Sequence, residues 1–315
     1  MPGSTTIPGI SLGTTPGFLL RILLISLLLG IAGASLAAAP QAHTVPVDGH
    51  PLRVWEKSAV QPSSVILLVH GRTWSTRPDF DLQVPDEEKS LMDGLVERNT
   101  AVYGVDLRGY GETPRDASGW LTPDRAARDV SGVLKWLHGR HPQLAVPALF
   151  GWSYGAMVSQ LVAQRTPADL SALILFGYPL RPGSAVTPPG LAAEPPRRTT
   201  TAAAAAEDFI VPGSISDAAV EAFVTAALEA DPVRTDWRQL EQWQALDPSK
   251  VRLPTLLLEG EFDPLALDQV HLQLFENLGT SDKAWVMFPD SDHVAFMEAS
   301  RDYFLNVLAT FLQPR

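Results

Sequence analysis

The sequence predicts an α/β protein with a doubly wound, mostly parallel sheet and an inserted helical cap. Short apolar runs without hydrophobic alternation recur along the chain, as expected of strands that are buried on both faces. Amphipathic stretches of helical length separate these runs, and strands that alternate with such helices pair in parallel. One long interval contains no such run, which indicates an insertion.

The predicted strands and helices follow one another in a regular order. The apolar runs predict strands at 65–69, 100–105, 147–151, 172–176, 255–258 and 283–288. The helical patterns cover residues 87–98, 123–139, 154–165, 266–278 and 294–312. These elements predict a core over residues 40–180 and 251–315, with the cap at 181–250.

The predicted cap begins with a proline-rich stretch and continues into an amphipathic helix. Ser216 is its expected N-cap, and Asp231, which precedes a proline, is its expected end. The apolar side of this helix consists of Val220, Phe223, Val224, Ala227 and Leu228. A second helical piece near 236–246 carries Trp237, Leu240, Trp243 and Leu246 on one face. The alternative is a long surface excursion without a functional role.

The first 39 residues resemble a targeting segment. Arg21 precedes an apolar run at 22–29, and small residues follow at 30–39. A positive flank, an apolar centre and a small-residue exit are typical of a secretory signal peptide. We expect cleavage after Ala37 and a secreted or periplasmic protein without stable membrane association. The alternative is an uncleaved membrane anchor, because residues 22–39 carry no charge.

Composition excludes several classes of function. The chain has 24 Lys and Arg residues against 35 Asp and Glu residues, a net charge of −11. Because phosphate affinity comes mainly from basic side chains, a nucleic-acid partner is not expected. The absence of cysteine excludes thiol catalysis, Cys-ligated metals and disulfides.

The strongest chemical signal is the segment Gly151-Trp152-Ser153-Tyr154-Gly155. It follows a predicted buried strand and opens a predicted helix, the context that a G-x-S-x-G nucleophile elbow requires. Small residues on both sides of the serine permit the sharp turn that exposes its hydroxyl. Ser153 is therefore the predicted nucleophile.

A serine hydroxyl needs a general base, and the base needs an orienting carboxylate. His70 and His293 are the histidines that follow predicted strands at the sheet edge where ligands bind. His293 comes after the last strand and is the predicted base. Asp263 directly follows the preceding strand and is the predicted orienting acid. Four other acids remain as rivals and are otherwise expected to be solvated: Glu259, Glu261, Asp290 and Asp292.

The order of Ser153, Asp263 and His293 resembles the α/β-hydrolase superfamily over residues 46–312. His70-Gly71-Arg72 resembles the oxyanion loop of that family. The resemblance implies that the backbone N–H groups of Arg72 and Tyr154 hold the oxyanion, with Thr73 as an alternative to Arg72.

A second motif also resembles that family. Asp106–Thr113 is similar to its D-x-R-G-x-G turn, which we interpret as structural. Two glycines would permit the tight backbone there, and an Arg–Asp pair would lock the turn.

These features predict a secreted serine hydrolase that cleaves carboxylic esters through an acyl-enzyme. Family members with epoxide hydrolase or dehalogenase activity carry aspartate where this chain carries Ser153. The expected partner is a small-molecule acyl substrate, and no metal or organic cofactor is expected. The sequence leaves the oligomeric state open. A non-enzymatic binding protein would usually lose part of the triad.

The alternative enzyme is a serine aminopeptidase or amidase of the same fold. An aminopeptidase must hold a protonated amine, and Glu207 with Asp208 is the arrangement of cap acids suited to this task. The candidate substrate-pocket residues are four tryptophans that are equally compatible with core packing: Trp74, Trp152, Trp237 and Trp243.

Overall fold

The structure is a computed structural model that describes residues 1–4, 9, 39–179 and 193–313. The predicted signal sequence, with its apolar run and cleavage site, lies outside the described residues, as does the start of the predicted cap at 181–192. In the described part of the chain, no helix is both long and apolar enough to cross a membrane.

Strands and helices alternate along most of the chain. The strands are β1 (Gln41–Val47), β2 (His50–Ser58), β3 (Ser64–Val69), β4 (Thr100–Asp106), β5 (Trp120–Leu121), β6 (Ala148–Trp152), β7 (Leu173–Phe176), β8 (Asp236–Trp237), β9 (Thr255–Gly260) and β10 (Lys283–Phe288). The helices are α1 (Thr76–Phe80), α2 (Leu91–Val96), α3 (Pro123–Arg140), α4 (Tyr154–Arg165), α5 (Ala202–Ala206), α6 (Asp217–Ala230), α7 (Asp268–Asn277) and α8 (Arg301–Phe311).

Within the described residues, eight strands form one sheet in the order β1-β2-β4-β3-β6-β7-β9-β10. Strand β2 pairs antiparallel with both of its neighbours, and every other pairing in this sheet is parallel. Hydrophobic clusters cover both faces of the sheet. The predicted fold class, a doubly wound and mostly parallel α/β sheet, is confirmed.

Every predicted strand is present within two residues of its expected bounds. These strands were recognisable because they are buried on both faces, as the wholly buried β4 and β6 show. Because β6, β9 and β10 are parallel, their carboxyl ends meet at one edge of the sheet. The loops after these ends carry Ser153, Asp263 and His293.

The hairpin β1–β2 is an element that the strand pattern did not predict. It pairs Val47 with His50 across a two-residue turn. In that turn Asp48 has φ 49° and Gly49 has φ 75°. Positive φ at both central positions is the type I′ geometry, for which Asp-Gly is a preferred pair. This dipeptide was the signal that could have located the hairpin.

Helix α6 begins and ends as predicted. The Oγ atom of Ser216 accepts a hydrogen bond from the N–H of Ala219, and Asp231 follows the last residue. The fully buried positions are Ala219, Phe223 and Ala227, which recur at helical spacing. Phe223 packs edge-on against Trp74 of the core.

The predicted helix over 236–246 is wrong in type, although its apolar side is buried. The segment consists of the short strand β8, which pairs with β5, and a 3₁₀-helix at Leu240–Ala245. Gln239 has a left-handed backbone with φ 56°, which interrupts any helix between the two pieces. The apolar spacing therefore predicted burial correctly and the local structure incorrectly.

Two predicted helices begin later than expected. The pattern at 87–98 becomes α2, which begins at Leu91 because Ser90 caps it by accepting from the N–H of Asp93. The pattern at 294–312 becomes α8, which begins only at Arg301. Residues 294–300 form turns after His293 instead.

The turn at 106–113 is structural, as interpreted. Its arginine, Arg108, pairs with an aspartate outside the turn. Gly109 and Gly111 have φ values of 84° and 48°. The guanidinium of Arg108 makes two hydrogen bonds of 2.6 and 2.8 Å to the carboxylate of Asp129 in α3. Asp106 instead accepts from Trp55 and from backbone N–H groups.

Asp129→Asn should destabilise the fold strongly. The pair is buried, so the substitution leaves the Arg108 charge poorly compensated, at a cost of about 3–5 kcal/mol in the free energy of unfolding. Urea denaturation measures this cost. The control is Asp124→Asn in the same helix, whose partner Arg165 is 39% exposed, and its cost should stay below about 1 kcal/mol. Equal costs for the two variants would contradict this account.

Candidate active site

Ser153 lies on a sharp turn between β6 and α4. Its backbone has φ 54° and ψ −121°, and its N–H donates to the carbonyl of Phe176 at 2.9 Å. A Cβ atom on Gly155 would lie 2.2 Å from the carbonyl oxygen of Val69, and one on Gly151 would lie 2.3 Å from that of Gly155. Only glycine fits at these two positions, so the geometry matches the predicted elbow.

His293 and Asp263 are in direct contact. The Nδ1 atom of His293 is 2.7 Å from Oδ2 of Asp263, and both side chains are almost fully buried. The other carboxylate oxygen, Oδ1, accepts from the N–H groups of Leu265 and Ala266. Because the carboxylate is an acceptor, Nδ1 carries a proton and Nε2 is left as the basic nitrogen.

The charges around His293 favour its protonated form. Burial opposes the imidazolium, whereas the hydrogen bond and charge of Asp263 favour it. The charges of Asp208 and Asp292 act in the same direction, and together they raise the pKa of His293 above its ordinary value. The imidazole is thus set up to accept a proton.

The rival acids have other surroundings. Glu259 is buried and lies 2.8 Å from Nδ1 of His271, so the expectation that it is solvated is wrong. Asp292 is also buried, and its side chain accepts from the N–H groups of Ile210, Val211 and Val294. Glu261 and Asp290 are exposed loop acids, as expected.

The loop after β3 lies beside Ser153 and His293. His70 is buried, which lowers its pKa to about 4 and keeps it neutral. Its Nε2 accepts from the N–H of Leu107, and its Nδ1 contacts the carbonyl of Gly71 at 2.9 Å. The carbonyl of Arg72 accepts from the hydroxyl of Tyr110. These bonds fix the backbone that carries the predicted oxyanion donor Arg72.

Ser153 and His293 line one cavity of about 260 Å³. The other lining residues are Gly71, Arg72, Thr73, Trp74, Trp152, Tyr154, Pro179, Asp208, Arg234 and Leu265. A hydrogen bond between Ser153 Oγ and His293 Nε2 is not among those of the described residues. Such contacts often tighten only when substrate binds.

The four candidate tryptophans divide into two pairs. Trp74 and Trp152 line the cavity, and the indole N–H of Trp152 donates to the carbonyl of His293 at 2.8 Å. Trp237 and Trp243 are not lining residues, which corrects their assignment to the pocket. They are buried and pack edge-on against the ring of Tyr154. Their contribution is to support Tyr154.

The cap residue Asp208 reaches the cavity because Asp292 holds the segment that follows it. Oδ2 of Asp292 accepts from Ile210 at 2.6 Å and from Val211 at 3.0 Å. Burial raises the pKa of Asp208, an effect that His293 and the indole of Trp74 partly oppose. Glu207, its neighbour in sequence, is exposed.

Arg234 is a charged cavity residue that the sequence analysis missed, since a single arginine in an irregular segment gives no pattern. Over residues 39–179 and 193–313, the structure shows no group of three or more His, Asp or Glu side chains placed to hold a metal ion.

Comparison with known proteins identifies relatives. The family model of serine aminopeptidases (S33) matches residues 61–300. The AB hydrolase superfamily protein YisY of Bacillus subtilis (strain 168) is 28% identical over 229 residues, covering 66% of this chain and 80% of that protein.

Two solved structures share the fold. An esterase from Exiguobacterium antarcticum (EaEST) has a TM-score of 0.57 at 19% identity, covering 87% of this chain and all of that one. A proline iminopeptidase from Mycobacterium smegmatis has a TM-score of 0.61 at 20% identity, covering 86% of this chain and 97% of that one.

Proposed function

The chain belongs to the serine aminopeptidase family S33 of the α/β-hydrolase superfamily, and we propose that it cleaves carboxylic esters through an acyl-enzyme on Ser153. The observation that carries this proposal is the arrangement in one cavity of Ser153 on its elbow and the hydrogen-bonded pair His293 and Asp263. Among the described residues that line this cavity, Ser153 is the one serine.

The proposed reaction proceeds in two steps. Ser153 Oγ attacks the ester carbonyl carbon, and its proton passes to Nε2 of His293. The tetrahedral intermediate then expels the alcohol, which takes that proton, and leaves an ester bond to Ser153. Water, deprotonated by His293, then attacks the carbonyl carbon of this ester. The carboxylic acid departs as His293 returns the proton to Ser153 Oγ.

Two backbone N–H groups would stabilise the oxyanion. Tyr154 is the first residue of α4, so its N–H has no acceptor within the helix. Arg72 lies in the loop that the bonds of His70 and Tyr110 hold against the elbow. Removing one such donor typically costs about 10²–10³ in kcat.

A second candidate function, an aminopeptidase, is favoured by Asp208. This acid lines the cavity, and the buried Asp79 lies close enough for the charge of Asp208 to raise its pKa. Burial is the main cause of that rise. Recognition of a substrate amine requires a carboxylate pair or cluster, and of these two acids only Asp208 lines the cavity. Against this reading, two arginines line the same cavity and would repel an ammonium group.

Kinetics with matched substrates tests the two functions. We expect p-nitrophenyl butyrate to be cleaved far faster than the p-nitroanilides of alanine and proline. Glu207→Gln is the control for Asp208→Asn, because Glu207 is exposed. Rapid anilide cleavage that is lost in Asp208→Asn but retained in Glu207→Gln would replace the esterase by an aminopeptidase.

Asp208→Asn should also change the pH profile of ester cleavage. The base acts in its neutral form, so kcat/KM rises as pH increases through the pKa of His293. Because the charge of Asp208 helps raise that pKa, its removal should move the acidic limb to lower pH. Glu207→Gln should leave the limb in place. An unchanged or upward-shifted limb in Asp208→Asn would contradict this assignment.

We also propose that the protein is exported and cleaved after Ala37, leaving no stable membrane association. The support is the charge and apolar pattern of residues 21–39. Intact-mass measurement of the protein recovered from outside the cytoplasm tests it. An N-terminus at Met1 in a membrane fraction would favour the anchor instead.

A further inference from the structure

We propose that Arg72 and Arg234 form an anion subsite, so that the preferred ester substrate carries a carboxylate near the scissile bond. This inference rests on the proposed esterase function and names its substrate class. Both arginines line the cavity that contains Ser153 and His293.

The guanidinium of Arg72 lies beside the nucleophile elbow. Its Cζ atom is 4.9 Å from the ring centroid of Tyr154, the residue directly after Ser153. The ring of Tyr154 is in turn supported by Trp237 and Trp243. Stacking on a ring that is held from behind restricts the guanidinium while its N–H donors remain available.

The backbone of Arg234 is fixed by two hydrogen bonds. Its N–H donates to the carbonyl of Arg198 at 2.8 Å, and its own carbonyl accepts from Arg115 Nη2 at 2.6 Å. Arg115 is itself paired with Asp236 at 3.2 Å. The side chain of Arg234 is half-buried and contributes to the cavity wall.

Within residues 39–179 and 193–313, neither arginine is paired with a carboxylate. Among the described residues, no Asp or Glu oxygen lies within 4.0 Å of either guanidinium, whereas the neighbouring Arg115 is paired. Both arginines line the same cavity, and both charges act on the hydroxyl of Tyr110. Burial dominates and raises the pKa of that hydroxyl, and the two charges oppose the rise.

The balance of charge in the cavity favours an anion. Two arginines and one acid, Asp208, line the cavity. Burial raises the pKa of Asp208. The charge of Asp208 acts on His293, whereas the guanidinium of Arg72 stacks on the ring of Tyr154. A carboxylate would gain charge-assisted hydrogen bonds from the arginine pair, and an ammonium group would meet two like charges.

The test compares esters that differ only in the charge at the far end of the acyl chain. The probes are monomethyl adipate, methyl hexanoate and methyl 6-aminohexanoate. A fourth probe, the hexanoic ester of glycolic acid, places the carboxylate on the alcohol. We expect kcat/KM for at least one carboxylate ester to exceed that for methyl hexanoate by about tenfold or more, and the excess to shrink as salt rises.

Variants assign the preference to the arginines. In Arg234→Gln the ratio of kcat/KM for the better carboxylate ester to that for methyl hexanoate should fall about tenfold. Arg234→Lys should retain part of the ratio. Arg238→Gln is the matched control, because Arg238 is exposed, stacks on Trp120 and lies outside the cavity lining. It should keep the wild-type ratio.

Binding separates this inference from the proposed function. Calorimetry with Ser153→Ala measures the affinity for the carboxylate esters without turnover, and adding Arg234→Gln should weaken that affinity about tenfold. If binding follows this pattern but no ester is cleaved, the esterase proposal fails and the subsite stands. Equal affinity in both backgrounds, or a preference for methyl hexanoate or the amino ester, would overturn the subsite.

Discussion

Ser153→Ala should lower kcat for ester cleavage by about 10⁴-fold or more while the protein remains folded. The reason is that the hydroxyl forms the covalent intermediate, so no residual path through the acyl-enzyme exists without it. The strained turn is held by Gly151, Gly155 and the bond from the Ser153 N–H to Phe176, none of which involves the hydroxyl. Initial rates and thermal melting measure the two parts of this prediction.

The control for this variant is Ser159→Ala. Ser159 is buried in α4, and its Oγ makes no hydrogen bond within the described residues. Its removal should leave both the rate and the melting temperature close to those of the parent protein. Retention of more than about a tenth of the activity by Ser153→Ala would show that another group is the nucleophile.

Asp263→Asn should lower kcat by about 10²–10⁴. Oδ1 accepts from two backbone N–H groups, those of Leu265 and Ala266. In the variant, the amide oxygen must occupy that position, which turns the NH₂ group toward Nδ1 of His293. The imidazole would then accept at Nδ1 and carry its proton on Nε2, where it cannot deprotonate Ser153.

Asp290→Asn is the matched control for the orienting acid. Asp290 is exposed and has φ 51°, a backbone conformation that asparagine adopts readily. We expect near-normal rates in this variant. Adding Asp290→Asn to Asp263→Asn should restore neither the rate nor the pH dependence. A large loss of rate in Asp290→Asn together with a normal rate in Asp263→Asn would show that Asp290, and not Asp263, orients His293.

The parts of the site that the sequence predicted are those encoded by local patterns. Ser153 stands in a five-residue motif between a buried strand and a helix, and Asp263 and His293 follow strands whose apolar runs are unambiguous. Parallel pairing then brings the ends of these strands together. Their close approach therefore needed no knowledge of side-chain packing.

The parts that the sequence could not predict depend on contacts between distant segments. Asp292 resembles a solvated loop acid in the sequence, yet it binds the backbone of Ile210 and Val211 in the cap. Arg234 reaches the cavity because Arg115 and Arg198 hold its backbone. Neither arrangement leaves a periodic or motif signal.

The helix predicted at 236–246 failed for a different reason. Apolar side chains at helical spacing are also compatible with a strand followed by a 3₁₀-helix, provided that one residue adopts a left-handed backbone. Gln239 does so, although asparagine or glycine would be the usual residue there. Periodicity alone does not distinguish the two structures.

Labelling with a fluorophosphonate probe, followed by peptide mapping, tests the central claim most directly. The probe reacts with a serine that an adjacent base activates, and it does not depend on the identity of the substrate. We predict one adduct per chain, on the peptide that contains Ser153, with slower labelling in Asp263→Asn and none in Ser153→Ala. An adduct on a different serine, or folded protein that does not label, would contradict the assignment of Ser153 as the nucleophile.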